Sequence, residues 1–222
     1  MLIAVIPAYN EEKNIRDVVK RTLQYTDFVV VVDDGSKDNT SEEARQGGAF
    51  VIRNKVNKGK AGAMNVGFKY TLKKSADFIV VLDADGQHDP DEIPLFMNKM
   101  YEGFDLVVGV RRFDRKLMPA SRILANTFSS FLTSLVTCTK ILDSQSGYRV
   151  IRRSILEKIC FTSSRYQIET EMIIKAAKCG FKICFVPIKT IYTHQAQSKI
   201  NQLVDPARFV FLVIKLFFWR CK

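Results

Sequence analysis

The sequence has few of the residues that build common metal and redox sites. Only two histidines occur among 222 residues, which excludes a Cys/His zinc site of ordinary spacing. The five cysteines form no CxxC pair, and their odd number argues against a closed disulfide framework. We therefore expect reduced, mostly buried thiols in a cytosolic protein.

Long apolar runs are also missing. The most apolar late segment, residues 209–219, includes Lys215, whereas a membrane-spanning helix needs about 20 apolar residues. The N-terminal apolar stretch lacks a basic start and ends at Pro7, which favours a first β-strand over a secretory signal. The sequence thus predicts neither a signal peptide nor a membrane-spanning helix.

Three glycine motifs with well-known chemistry are absent. The chain contains no GxxxxGK[ST], no GxGxxG after its first apolar run and no GxSxG. These absences disfavour P-loop nucleotidases, dinucleotide oxidoreductases and α/β-hydrolases. The net charge of +11 favours an anionic partner, such as a nucleotide or a phospholipid, although a solvated basic surface explains it equally well. No nucleic-acid-binding motif is present, so nucleic acid is not an expected partner.

Short runs rich in Val and Ile alternate with segments of helical periodicity. The runs at 2–6, 28–32, 49–52, 78–82 and 106–110 indicate strands. This alternation predicts an α/β domain with a mainly parallel central sheet flanked by helices. The second half predicts helices at 118–142, 167–179 and 206–219 and a strand at 183–186. We expect one domain over residues 1–200 and a C-terminal amphipathic helix over residues 201–222.

The strongest chemical signal follows the fourth of these runs, in the sequence DADGQHDP at 83–90. Two carboxylates one residue apart in a loop can meet one hard cation, and Mg²⁺ or Mn²⁺ suits oxygen ligands of this kind. The alternative is an ordinary turn in which Asp89 caps the helix that begins at Pro90. Because parallel sheets bind ligands beyond the carboxyl ends of their strands, the position favours a ligand site.

Basic segments supply candidate anion ligands. Lys60 lies in a glycine-containing segment that opens a predicted helix, where an anion is favoured. Several arginines follow the fifth run, and guanidinium groups suit phosphate; they are Arg111, Arg112, Arg115 and Arg122. A solvated basic face is the alternative for both segments.

Taken in order, the motifs resemble a known family. VIPAYNEE at 5–12, VVDDGS at 31–36, NKGK at 57–60 and DADGQHDP at 83–90 resemble the family 2 glycosyltransferases with the GT-A fold. DSQSGYR at 143–149 is similar to an element of the dolichyl-phosphate mannose synthase and polyprenyl-phosphate glycosyltransferase branch. One departure occurs near Ser198-Lys199, where Thr193 and Ala196 replace the arginine and glycine of that branch and His194 lies between them.

The resemblance implies roles for particular residues. It assigns nucleotide-sugar binding to Pro7, Ala8, Tyr9, Glu11, Val32, Asp34, Lys60, Asp83, Ala84 and Lys175. It assigns the metal to Asp83, Asp85 and Gln87, the acceptor phosphate to Arg111, Arg122 and Arg149, and the catalytic roles to Asp85 and Arg111.

The resemblance also implies a reaction. We expect a metal-dependent, inverting transfer of a hexose from a donor of the GDP-mannose or UDP-glucose type to a polyprenyl or dolichyl phosphate. A saccharide hydroxyl acceptor is the alternative, with Glu169 or Asp143 as its general base; a non-catalytic nucleotide-sugar-binding protein is another. The lipid acceptor implies a cytoplasmic enzyme held peripherally at the membrane, through residues 209–219 and the region 128–142, with or without a membrane-protein partner.

Overall fold

The computed structural model describes residues 1–111, 120–163, 167–189, 191 and 204–221, without the side chains of 120–122 and 204–207. Arg112, Arg115 and the segment 193–199 lie outside the described residues. Arg122 lies on a described helix, but its side chain is outside the description.

The described strands form one seven-stranded sheet in the order β3-β2-β1-β4-β6-β5-β7. The strands are β1 Leu2–Ala8, β2 Phe28–Asp33, β3 Phe50–Arg53, β4 Phe78–Val81, β5 Leu106–Arg111, β6 Arg149–Arg152 and β7 Ile183–Ile188. All neighbouring pairs are parallel except those of β6, which is antiparallel to β4 and β5. The predicted mainly parallel α/β sheet is therefore confirmed.

Helices cover both faces of this sheet. They are α1 Ile15–Thr22, α2 Thr40–Gln46, α3 Gly59–Lys73, α4 Ile93–Tyr101, α5 Ala120–Thr137, α6 Arg153–Lys158, α7 Ile168–Lys178 and α8 Val204–Phe217, with a 3-10 turn at Pro90–Glu92. Alternate residues of β1 point to opposite cores: Val5 packs with Met64 of α3, and Ile6 packs with Val19 of α1. Burial on both faces explains why the strands are continuous apolar runs.

The sheet opens between its two central strands. β1 pairs with β4 only as far as Val5 opposite Val81, yet it pairs with β2 as far as Ala8 opposite Asp33. Pro7, which has no N–H group to donate, therefore lies in a central strand beyond the last residue that pairs with β4. The order in which strands join the sheet also reverses at this place, since β2 and β3 lie on one side of β1 and β4 lies on the other. Open α/β sheets bind ligands at such a point.

The cysteine prediction is wrong in two respects. Cys179, which follows α7, forms a disulfide with Cys221, and their Cα atoms lie 5.2 Å apart. Cys138 and Cys160 are exposed rather than buried. Sequence spacing did not reveal the pair because its members lie 42 residues apart and meet only when α8 packs on α7.

The C-terminal helix α8 is amphipathic, as expected. Its buried residues Leu212, Val213 and Leu216 form a small core with Ile174 of α7, against which Leu132 of α5 packs. Within the described part of the chain, no helix is long and apolar enough to cross a membrane.

Candidate active site

The acidic loop after β4 lies at the opening of the sheet and is tied to two other elements by one lysine. Lys60, in the first turn of α3, places its Nζ 2.6 Å from Oδ1 of Asp83 and 2.9 Å from Oε1 of Glu169 at the start of α7. The side chain of Glu169 is almost completely buried. One ammonium group thus joins the loop to α3 and α7.

Gly147 makes room for this ion pair. A Cβ atom at position 147 would lie 2.8 Å from Nζ of Lys60 and 2.9 Å from Oδ2 of Asp83. Both distances are shorter than van der Waals contact, so any side chain there would push the pair apart. The glycine of the 143–149 segment is explained by this close approach rather than by a turn.

The two carboxylates of the loop have opposite electrostatic environments. Although burial disfavours its charged form, Lys60 and other neighbouring groups hold the pKa of Asp83 at about 2. Burial and the negative charge of Asp83 raise the pKa of Asp85 to about 6, and Glu11 adds to the effect. The negative charges of Asp83, Asp85 and Glu11 are therefore not fully balanced by the described cations around the loop. Such an excess of negative charge is expected where a cation binds.

A buried histidine holds the loop in place. The backbone N–H of Asp83 donates to Nδ1 of His88 at 3.0 Å, and burial lowers the pKa of His88 to about 4, so its ring is neutral near pH 7. The ring stacks on Tyr148, with centroids 5.0 Å apart, and the Tyr148 hydroxyl donates to the carbonyl of Asp89. Asp89 accepts from the N–H of Asp91, which confirms its predicted capping role.

Arg111 extends the cluster on its other side. Its Nε and a terminal nitrogen donate to the two oxygens of Asp143 at 2.8 and 3.0 Å, the bidentate geometry that orients a guanidinium most firmly. Asp143 is buried. Because Asp143 is engaged in this pair, it is poorly suited to act as a general base.

Arg149 lies in the protein interior, although the resemblance assigned it to the acceptor phosphate. Its guanidinium is fully buried and donates to the carbonyls of Ser144, Ser146 and Glu169. These bonds connect the 143–149 segment to the start of α7, where Glu169 meets Lys60. The structure thus gives Arg149 a positioning role in place of contact with an acceptor phosphate.

The residues assigned to the nucleoside flank the opening from the β1 and β2 side. Asp34 is buried and accepts from Nδ2 of Asn54 and the N–H of Lys58, so its carboxylate orders the loop that leads into α3. Val32 is fully buried in the core beneath α3, so its side chain does not line the opening. Gly35 and Asn54 line a cavity of about 380 Å³ at this end of the sheet.

The first loop approaches the acidic loop from β1. Pro7 and Ala8 end β1, and Ala8 is buried. Glu11 accepts from Nδ2 of Asn14, its N–H donates to Thr40, and its charge acts on Asp85. Tyr9 is half-buried in the same loop, as are Asp85 and Gln87 in theirs, whereas Ala84 is buried.

Lys175 does not join this cluster. Its Nζ lies 2.6 Å from Oε1 of Glu171, donates to the carbonyl of Cys160 and lies over the ring of Trp219. The expectation that it reaches the donor phosphates is therefore replaced by a role in joining α7 to the C-terminal segment. Glu169, one of the two base candidates, is instead the group that α7 contributes to the site.

The donor set suits a hard divalent cation. Asp83, Asp85 and Gln87 offer oxygen ligands on one loop, and the crowded carboxylates of Asp83, Asp85 and Glu11 would be relieved by a cation. Among the described residues no three His, Cys, Asp or Glu side chains are arranged as a complete metal site. In Mg²⁺ sites one or two carboxylates typically share the ion with substrate phosphates.

Comparison with known proteins decides the family. The model of the family described as Glycosyl transferase family 2 matches residues 3–160. The chain belongs to glycosyltransferase family 2. It is therefore a glycosyltransferase, as the motif order predicted.

Similar proteins agree with this assignment. An uncharacterized protein of Methanocaldococcus jannaschii is 37% identical, with 96% of this chain and 90% of that protein covered. The UDP-N-acetylglucosamine–dolichyl-phosphate N-acetylglucosaminyltransferase of Methanococcus voltae is 35% identical, with 90% and 89% covered. The undecaprenyl-phosphate mannosyltransferase of Micrococcus luteus is 28% identical, with 90% and 87% covered.

The fold has a close match among solved structures. Glucosyl-3-phosphoglycerate synthase from Mycobacterium tuberculosis, crystallised with Mn²⁺, UDP-glucose and phosphoglyceric acid, has a TM-score of 0.79 and 21% identity, with 98% of this chain and 79% of that chain covered. The likeness confirms the expected GT-A fold.

Proposed function

We propose that this glycosyltransferase moves a sugar from a nucleotide-sugar donor to a polyprenyl or dolichyl phosphate. The observation that carries the proposal is the cluster at the opening of the sheet, where Lys60 joins Asp83 to Glu169 and Asp143 aims Arg111. The acidic loop is suited to a divalent metal ion bound to the diphosphate of the donor, and the guanidinium of Arg111 is suited to an anionic acceptor. The relatives from Methanococcus voltae and Micrococcus luteus are named as transferases for dolichyl phosphate and undecaprenyl phosphate. These names support a lipid phosphate as the acceptor.

The donor occupies the opening between β1 and β4. Its nucleoside lies on the side of Asp34 and the 7–11 loop, and its diphosphate lies over Asp83 and Asp85. Lys60 contributes a permanent positive charge, because the carboxylates of Asp83 and Glu169 outweigh burial and raise the pKa of its ammonium. We infer that this ammonium orients Asp83 and offsets the negative charge of the donor.

Asp83, Asp85 and Gln87 would hold Mg²⁺ or Mn²⁺. The bound ion would stabilise the negative charge that builds on the departing nucleoside diphosphate. Crystals of the structurally similar synthase from Mycobacterium tuberculosis contain Mn²⁺ together with UDP, which supports a divalent ion in this fold.

The acceptor phosphate approaches Arg111 from the opposite side. A lipid phosphate is already anionic at neutral pH, since its second pKa is about 6. The oxygen therefore attacks the anomeric carbon directly, the bond to the nucleoside diphosphate breaks, and the configuration inverts. Such a reaction needs alignment and charge stabilisation rather than a general base, which agrees with the engagement of Asp143 by Arg111.

The same proposal places the enzyme at a membrane surface. α8 exposes a stripe of apolar side chains at helical spacing, and α5, which packs beside it, exposes a second. These residues are Val210, Phe211, Ile214 and Phe217 on α8, Phe218 directly after it, and Leu124, Phe128, Phe131 and Leu135 on α5. Apolar stripes beside basic residues are typical of helices that lie in the interface.

A donor panel tests the reaction. Purified protein is incubated with a short polyprenyl phosphate, Mn²⁺ or Mg²⁺ and GDP-mannose, UDP-glucose or UDP-N-acetylglucosamine, and lipid products are identified by mass spectrometry. We expect one donor to give a lipid-linked monosaccharide, with the product lost on chelation and in Asp85→Asn but retained in the surface control Asp17→Asn. Binding of a donor without lipid product would move the acceptor to a saccharide, and a lack of binding by any donor would refute the proposal.

A further inference from the structure

A second cavity lies apart from the acidic loop, between α8 and the segment that leads into α7. It is open to solvent and has a volume of about 430 Å³. One wall is a single face of α8, formed by Arg208, Phe211, Leu212 and Lys215, which are spaced three to four residues apart. The opposite wall consists of Thr162, Ser163 and Gln167.

The described residues that line this cavity, called here the α8 pocket, include two cations. Arg208 and Lys215 stand two turns apart on α8, roughly 10 Å along the axis, with the apolar pair between them. Among the described lining residues there is no acid. Glu171 lies behind the polar wall, but it is fully buried, pairs with Lys175 at 2.6 Å and accepts the backbone N–H groups of Thr162 and Ser163.

The α8 pocket continues into the apolar stripe of α8. Phe211 belongs to both, and 70% of its surface is exposed. A ligand that fits this arrangement has an anionic group for the two cations and an apolar tail for the stripe. A free nucleotide or inorganic phosphate satisfies only the first requirement, whereas an anionic phospholipid satisfies both.

We propose that the α8 pocket binds the phosphate headgroup of an anionic phospholipid, with the acyl chains along the exposed face of α8. The inference rests on the membrane attachment in the proposed function and adds a lipid site that is separate from the reacting centre. Arg208 and Lys215 contact the phosphate, and Thr162 and Gln167 face the rest of the headgroup. The site would make attachment depend on lipid type rather than on surface charge alone.

Calorimetric titration with dihexanoyl phosphatidylglycerol, below the concentration at which it forms micelles, tests the site directly. We expect saturable binding to the full-length protein, weakened at least about tenfold in Arg208→Ala/Lys215→Ala. The control Lys140→Ala/Arg220→Ala removes the same charge from exposed positions outside the pocket and is expected to change affinity less than about twofold. Thermal unfolding confirms that both variants are folded.

Several results would overturn the inference. Equal losses in the two double variants would mean diffuse attraction to charge, and equally tight binding of inorganic phosphate would mean a site for soluble anions. Transfer to a short-chain acceptor in detergent is measured in parallel, and we expect both double variants to retain the wild-type rate. If the wild-type protein transfers the sugar but does not bind the lipid, the α8 pocket alone is refuted. If the wild-type protein binds the lipid but transfers no sugar to any acceptor, the proposed function alone is refuted.

Discussion

Lys60 is the residue on which the geometry of the site most depends. Its ammonium lies within 2.9 Å of two carboxylates from different elements, half-buried Asp83 and buried Glu169. The sequence placed Lys60 in an anion-binding segment but did not reveal its partners, because Glu169 lies 109 residues away and forms no local motif with it. The sequence shows which residues follow each strand. It does not show that Lys60 pairs with Glu169, because that contact forms only when α7 packs on the sheet.

Replacing Lys60 by methionine should disable the site. The change leaves the carboxylates of Asp83 and Glu169 without their shared cation, and we expect kcat/KM to fall by at least about 100-fold, as for loss of a preorganised charge. Steady-state kinetics with the active donor measure this, with Lys37→Met as a surface control. A folded Lys60→Met enzyme within threefold of wild type would contradict the role of the bridge.

Gly147 provides a steric test of the same bridge. In Gly147→Ala the new methyl group would displace Lys60 and Asp83, so we expect activity to fall by about tenfold or more while the fold persists. Gly103→Ala is the matched control, because its positive φ strains the backbone but nothing lies within 4 Å of its Cβ. It should lower stability by about 1 kcal/mol and leave activity unchanged; equal activity losses in the two variants would argue against the steric explanation.

At the scale of elements, the parallel strands follow directly from the sequence. Runs such as FVVVV at 28–32 are apolar throughout because both faces of the sheet are covered. The antiparallel β6 was not predicted, because its four residues begin and end with arginine and give no apolar run. Arg149 is nevertheless fully buried, since three backbone carbonyls satisfy its guanidinium. Periodicity cannot reveal a charged residue that the interior accommodates in this way.

The disulfide makes a prediction about α8. Cys179 and Cys221 close a loop with a sequence separation of 42, and the loss of chain entropy in the unfolded state is then worth about 4 kcal/mol. We expect Cys221→Ser, or added reductant, to lower the free energy of unfolding by up to this amount, measured by denaturant titration. Cys160→Ser, at an exposed free thiol, is the control. An identical unfolding curve with and without reductant would contradict the bond.

At the scale of the whole molecule, ligand chemistry and apolar surface lie in different regions. The acidic loop and Arg111 occupy the opening of the sheet, while α5 and α8 carry half of the large exposed apolar side chains of the described residues. The sequence predicted an amphipathic C-terminal helix from residues 209–219. It did not show that α5 would lie beside α8, because that contact depends on the tertiary packing of both helices near α7.

The combined apolar face should hold the protein on vesicles. Phe211 and Phe218 are 70% and 75% exposed, and we expect Phe211→Ser/Phe218→Ser to weaken binding to phosphatidylcholine vesicles by at least about tenfold, because each buried phenyl ring contributes about 1.5–3 kcal/mol. Vesicle co-sedimentation measures this, with Val56→Ser at an exposed loop position as the control. Unchanged binding of the double variant would place the membrane contact elsewhere.

Transfer of a sugar to a lipid phosphate is tested most directly with two acceptors that differ by one group, a polyprenyl phosphate and the corresponding polyprenol. Both are used in single-turnover reactions with the active donor and Mn²⁺. We expect a phosphate-linked monosaccharide from the polyprenyl phosphate, no product from the polyprenol, and loss of the product in Asp85→Asn. Equal transfer to both acceptors, or undiminished transfer by Asp85→Asn, would contradict the proposed function.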